Sequence, residues 1–148
     1  MKTLAKSLAL FFTLTLALAL FSFSSFSPNE MLINQAPNRI EIIDFHTTHR
    51  CYTCEAIEAN TIYTLNTYFQ KELANGSITM DVLNIDQAEN EAIAEKFQVY
   101  GTSLFLNVIV DGVETPIDLT EFAFMKGTDQ KAFSKELSEK IKEELQKL

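Results

Sequence analysis

The sequence predicts an α/β domain: a central mixed sheet flanked by helices, in the order β-α-β-α-β-β-α. Three observations predict it. An apolar strand-like run, Ile40-Glu41-Ile42-Ile43-Asp44-Phe45, leads directly into a stretch with helical spacing. A second strand-then-helix unit follows. Then Asp111-Gly112, a strong two-residue hairpin signal, separates two further β-like runs.

Taken in order, 28–38 is polar, carries Pro28 and Pro37, and reads as a linker. Strand one is 39–45, apolar inside except for Asp44. Helix one is 55–73, with Ile57, Ile62, Leu65 and Phe69 as an apolar stripe, and Asn75-Gly76 ends it. Strand two is 78–85, carried by Ile78, Met80, Val82, Leu83 and Ile85. A short helix over 90–100 is held by Ile93 and Phe97 and broken at Gly101. Strands three (104–110) and four (113–119) flank the hairpin turn. The last helix, 129–148, places Phe133, Leu137, Ile141 and Leu145 on one face and fills the rest with Lys and Glu. Phe122, Phe124 and Met125, between strand four and that helix, read as core or domain edge. The β-α-β part requires a parallel strand pair joined by a right-handed crossover, and the hairpin adds antiparallel strands.

At 148 residues there is room for one domain, 39–148, preceded by a different kind of segment. Lys2 and Lys6 precede a mostly apolar run from Leu8 to Phe21, then a Ser/Phe stretch ending at Ser27. A basic start, an apolar centre and small residues behind it describe a secretory signal over 1–27. The run 8–26 is nearly long enough to span a bilayer, so an uncleaved anchor is the alternative. Either way the domain is expected in the periplasm or another extracytoplasmic space, touching membrane only through such an anchor. Loss of 1–27 takes the net charge from −8 to −10 over 121 residues. That acidity disfavours nucleic acid and anionic lipid as partners.

The only two cysteines are Cys51 and Cys54, in Cys51-Tyr52-Thr53-Cys54. The spacing lets one thiolate attack a disulfide while the other waits within reach to resolve the mixed disulfide. At a strand-to-helix junction the first cysteine sits at a helix N-terminus, where the dipole favours thiolate. A bridge closing so short a loop removes little chain entropy, so redox chemistry or metal binding explains the pair better than stabilisation does.

The order of elements, with a CxxC after the first strand, resembles the thioredoxin fold. Asp44-Phe45 is similar to the pair ending the strand before the thioredoxin active site, and Leu83-Asn84-Ile85-Asp86 to the end of the next parallel strand. Val99-Tyr100-Gly101 leads into the hairpin as the thioredoxin substrate-binding loop does, and Asp111-Gly112 matches its turn. More narrowly, 46–58 (HTTHRCYTCEAIE), Gly101-Thr102-Ser103-Leu104 and 119–123 (LTEFA) resemble an exported thioredoxin-like family named for a nitrophenyl-compound nitroreductase subunit, the ArsF family. The resemblance covers 39–148 and implies thiol–disulfide chemistry with protein disulfides or thiols, or with an envelope electron donor. No cofactor is implied beyond the Cys51–Cys54 redox disulfide itself. The sequence departs from thioredoxins where they carry a cis-proline facing the CxxC: here the loop reads Gly101-Thr102-Ser103.

Roles follow for individual residues. Cys51 is the nucleophile and Cys54 the resolving thiol. Asp44 is either a proton relay for Cys54, its pKa raised by apolar surroundings, or an acid hydrogen-bonded at a strand end. Arg50 either favours the Cys51 thiolate or is a solvated loop cation. His46 and His49 have three readings: tuning the thiolates, joining Cys51 and Cys54 in a metal set suited to zinc or copper, or loop polarity. Tyr52 is expected to touch a partner, and Thr102 and Ser103 to present backbone to substrate. The leading reading is an exported thiol–disulfide oxidoreductase. A metal-binding or metal-delivery module using the His/Cys cluster is the alternative, as is a non-catalytic thioredoxin-like subunit of a redox system.

Overall fold

The computed structural model describes residues 37–148. The expected signal or anchor (1–27, with its apolar run 8–26) and all but the last two linker residues lie outside the described residues.

The sheet has four strands: β1 Arg39–His46, β2 Ile78–Asn84, β3 Ser103–Val110 and β4 Val113–Asp118, in the spatial order β2-β1-β3-β4. β1 and β2 are parallel, β1 and β3 antiparallel, and β3 and β4 antiparallel. The helices are α1 Tyr52–Tyr68, α2 Gln70–Asn75, α3 Glu91–Phe97, α4 Thr120–Lys126 and α5 Gln130–Leu145, with a 3₁₀ turn over Ala88–Asn90. This mixed sheet, with a parallel pair at one edge and a C-terminal hairpin at the other, has the topology of a thioredoxin-like fold. Among the described residues no helix is long and apolar enough to cross a membrane.

Strand alternation explains the two layers. On one face of β1, Ile40 and Ile42 join Ile57 and Leu65 of α1, Ala123 of α4 and Phe133, Leu137 and Ile141 of α5 in the larger core. On the other face, Ile43 and Phe45 meet Phe97, Val99 and Phe105, where three phenylalanine rings lie 5.2–6.0 Å apart. Asp44 falls on the first face. It is the next inward position after Ile42 and lies level with the start of α1.

The observed boundaries differ from expectation where local chemistry intervenes. Helix one begins at Tyr52 rather than 55, because Cys51 is extended (φ −87°, ψ 161°) and its sulfur accepts from the Cys54 backbone N–H. It ends at Tyr68, because Phe69 (φ −132°) breaks the helix before α2 resumes. Ile62 of the expected stripe is exposed, while Asn60, Thr61 and Thr64 are buried. The threonine hydroxyls satisfy themselves by donating to the Ile57 and Asn60 carbonyls, at 2.9 and 2.6 Å. α4 was not anticipated. The Asp118 carboxylate accepts from Thr120 N–H at its start, Phe122 packs on Phe133 at 5.1 Å, and Phe124 and Met125 remain exposed. The hairpin turn is as expected, with positive φ at both Asp111 (52°) and Gly112 (79°).

Candidate functional site

The end of β1 delivers the chain to the site. After His46 the loop 47–50 is pinned to the neighbouring parallel strand: the Thr48 N–H donates to Asp86 Oδ2 (2.7 Å) and Asn84 Nδ2 donates to Thr48 Oγ1 (3.1 Å). The Thr48 N–H and hydroxyl hold the exposed Asp86 carboxyl below the usual carboxylate range, with His49 and His46 adding to the effect. The loop therefore enters α1 from a fixed direction.

Cys51 is the N-cap of α1 and is solvent-exposed, whereas Cys54, one turn in, is buried. The two form a disulfide with Cα atoms 5.1 Å apart. The Cys54 backbone N–H lies 3.2 Å from Cys51 Sγ. In the reduced protein the same N–H and the positive end of α1 would face a Cys51 thiolate, the arrangement that lowers a thiol pKa.

On β1, the strand that leads into the cysteine pair, Asp44 is fully buried between Val82 and Leu104 on the flanking strands. Neither of its carboxyl oxygens has a hydrogen-bond partner. Burial pushes its pKa from 3.8 up to about 7, with Arg50 pulling down and Glu58 pushing up.

Arg50 is neither a free loop cation nor aimed at the cysteine sulfurs. Its Nη1 pairs with Glu58 Oε2, and its Nη2 donates to the Cys54 carbonyl at 3.2 Å. Its Nε is buried without a partner. Glu58, two turns into α1, was not singled out from the sequence. The i, i+8 separation across a loop-to-helix boundary carries no pattern that would reveal the contact.

The remaining candidates divide. Tyr52 is 77% exposed beside Cys51, as a partner-contacting residue must be. Thr102 and Ser103 are half-buried at the start of β3, and Ser103 pairs with Phe45, so their backbone lies at the same sheet end as the disulfide. His46 Nδ1 sits 2.9 Å from the Thr47 carbonyl and His49 is exposed. Among the described residues no three His, Cys, Asp or Glu side chains gather in an arrangement that could hold a metal.

Packing fixes the far side of the site. Gly127, just after α4, sits against the first two turns of α1, where a Cβ would lie 2.8 Å from Ile57 Cγ1 and 3.3 Å from Thr53 Cγ2. Its carbonyl accepts from the buried Asn60 Nδ2 at 2.8 Å. An open cleft of about 440 Å³, bordered by Tyr52, Glu55 and Thr128, runs along this junction.

No family model matches the sequence, and no curated protein matches it. Among solved structures, the Fasciola hepatica thioredoxin is similar at 21% identity and a TM-score of 0.42, over 64% of this chain and 83% of that one. A structure described as that of a malarial protein is similar at 18% identity and a TM-score of 0.39, over 60% and 96%. These likenesses are distant. The thioredoxin-like fold stands on the strand order, the parallel β1–β2 pair and the CxxC disulfide at the head of α1.

Proposed function

We propose that this chain is a thiol–disulfide oxidoreductase acting outside the cytosol on protein disulfides or thiols. The observation that carries the reading is the Cys51–Cys54 disulfide, with its exposed cysteine at a helix N-terminus and a buried, unpartnered carboxyl, Asp44, on the strand that leads into it.

In the reducing direction the Cys51 thiolate attacks one sulfur of a partner disulfide. A Cys51–partner disulfide forms and the partner's other sulfur leaves as thiolate. Ionised Asp44 then takes the proton from Cys54. The Cys54 thiolate attacks Cys51 Sγ, the Cys51–Cys54 bond forms, and the partner's second thiolate leaves. The dithiol has lost two electrons and the partner disulfide has gained them. Asp44 returns its proton to solvent, and oxidation of a partner dithiol is the reverse sequence. Tyr52, exposed beside Cys51, and the 101–103 loop, at the same sheet end, would meet the partner chain.

Export rests on the basic-then-apolar character of residues 1–27, and kinship with the exported nitroreductase-subunit family on the resemblance of residues 46–58. Both belong to the proposal. Direction follows from potential: a value near about −270 mV favours a reductase and one near about −120 mV an oxidase.

Insulin-disulfide reduction with dithiothreitol tests the activity. Cys51→Ala is expected to abolish it, and Cys54→Ala to trap a covalent Cys51–partner complex visible on a non-reducing gel. Wild-type protein no faster than the reductant alone, or a Cys54→Ala protein that traps nothing, overturns the reading.

A further inference from the structure

We propose that Glu58 is a positioning residue: it holds the Arg50 guanidinium on the Cys54 carbonyl and so keeps the buried Asp44 carboxyl without a counter-ion. The inference rests on reading Asp44 as the proton acceptor for Cys54.

Three unsatisfied buried atoms motivate it. Asp44 Oδ1, Asp44 Oδ2 and Arg50 Nε are all shielded from solvent, and none has a hydrogen-bond partner. An acid and a guanidinium close enough to influence each other would ordinarily pair, since an unpartnered buried charge or donor is costly. Arg50 instead spends Nη1 on Glu58 and Nη2 on the Cys54 carbonyl. Glu58 competes with Asp44 for the same cation, and it wins because it is itself only half-buried and so costs less to keep ionised.

Among the described residues, no charge other than Arg50 and Glu58 acts on Asp44. The flanking strands present Val82 and Leu104. α5 turns Phe133, Leu137 and Ile141 to that face, and α4 turns Ala123. From α1 comes Glu58, and from the preceding loop Arg50. The two ions act on Asp44 in opposite directions, Arg50 favouring its ionised form and Glu58 opposing it. Burial lifts the carboxyl, and the pair adjusts the pH at which Asp44 becomes a base without either member pairing with it.

Removing Glu58 has two consequences of the same sign. One negative charge facing Asp44 disappears, and Arg50 is released from the contact that draws it away. Removing Arg50 has the opposite sign, because it deletes the one cation among the described residues that favours the ionised carboxyl. The cysteine sulfurs, the cap and the apolar core are unchanged in both cases.

The test is titration of the Asp44 carboxyl in the oxidised full-length protein, followed by carbon-13 NMR, with far-UV circular dichroism checking the fold. Glu58→Gln is expected to move the Asp44 midpoint down by about one pH unit, the lower end for a carboxyl gaining a cationic partner. Arg50→Gln is expected to move it up, and the Arg50→Gln/Glu58→Gln double variant to return to within about half a unit of wild type. Glu58→Asp, which keeps the charge, should recover at least part of the shift. A folded Glu58→Gln protein whose Asp44 midpoint stays at the wild-type value, or moves up, overturns the proposal. Because the readout is not activity, the two ideas separate. Wild-type protein that fails to exchange disulfides while the midpoints move as stated sinks the oxidoreductase reading alone. Active protein with an unmoved midpoint sinks the positioning role alone.

Discussion

At the scale of single residues, the proposed chemistry turns on the protonation of Asp44. A base must be ionised to accept a proton, so the step in which Cys54 displaces the partner from Cys51 should speed up as pH rises through about 7, the value to which burial lifts this carboxyl. Asp44→Asn removes the acceptor. It should slow that step by about 100-fold at pH 7.5, the lower end for a lost general base, and abolish the rise near neutrality. Rapid-quench measurement of the decay of a preformed Cys51 mixed disulfide across pH 5.5–9 checks both. An Asp44→Asn profile superimposable on wild type would remove Asp44 from the mechanism. Both cysteines and Asp44 were legible in the sequence because their positions are local: a CxxC read against the strand before it and the helix after it. Arg50 was legible only as a charge near the sulfurs. Its engagement by Glu58 was not, because that contact depends on how the 47–50 loop enters α1. The loop's entry is in turn set by a long-range hydrogen bond from Thr48 to Asp86. No spacing rule reaches across thirty-eight residues.

At the scale of elements, the site is rigid because α1 is clamped from below by β1 and from the side by the α4–α5 junction. The side clamp is a close approach at Gly127. Its backbone is ordinary helix (φ −52°), so the glycine is there for space rather than for conformation. A methyl at this position would lie 2.7 Å from the Ala123 carbonyl oxygen and 2.8 Å from Ile57 Cγ1, and neither backbone nor a core isoleucine yields cheaply. Gly127→Ala should therefore destabilise the oxidised domain by about 1–3 kcal/mol, the usual cost of overpacking. Urea unfolding measures it, and a loss under about 0.5 kcal/mol would show that the junction relaxes freely. The sequence reading missed α4, whose seven residues carry Phe124 and Met125 outward and bury only Ala123. So short a helix, with its larger apolar residues on the wrong side, has no helical stripe to read. The inward face of α1 was obscured for the converse reason: Asn60, Thr61 and Thr64 occupy positions that periodicity assigns to apolar side chains. By contrast the four strands and the last helix were legible to within a few residues. β3 has an unbroken buried interior, and α5 keeps Phe133, Leu137 and Ile141 in register at helical spacing.

At the scale of the whole molecule, a buried acid kept without a partner makes stability depend on pH in an unusual direction. The folded pKa of Asp44 is about 7 against 3.8 for an unperturbed carboxyl. Between those values the folded state holds a proton that the unfolded chain has released, so folding loses free energy as pH rises and the loss levels off above about 7. At ~1.4 kcal/mol for each pH unit, the displacement amounts to roughly 4 kcal/mol, a large share of the 5–15 kcal/mol that holds a domain together. Asp86 and Glu114 act the other way. Their carboxyls are held below the ordinary range by hydrogen bonds, from Thr48 and from Lys96 and Asn107, so their stabilisation is lost only as pH falls into the acid range. Both are exposed at the surface, where such contributions are small. The oxidised protein should therefore be most stable near pH 4–5 and lose several kcal/mol by pH 8, whereas most proteins are most stable between about pH 5 and 8. Asp44→Asn should flatten the curve, gaining stability at pH 8 with little change at pH 4. Urea midpoints at half-unit pH intervals test this directly. A wild-type curve that rises from pH 4 to 8, or an Asp44→Asn curve parallel to it, would mean that Asp44 is ionised in the folded protein throughout. That outcome would leave the carboxyl a permanently charged base, with no neutral form to hold a proton between the resolving step and solvent.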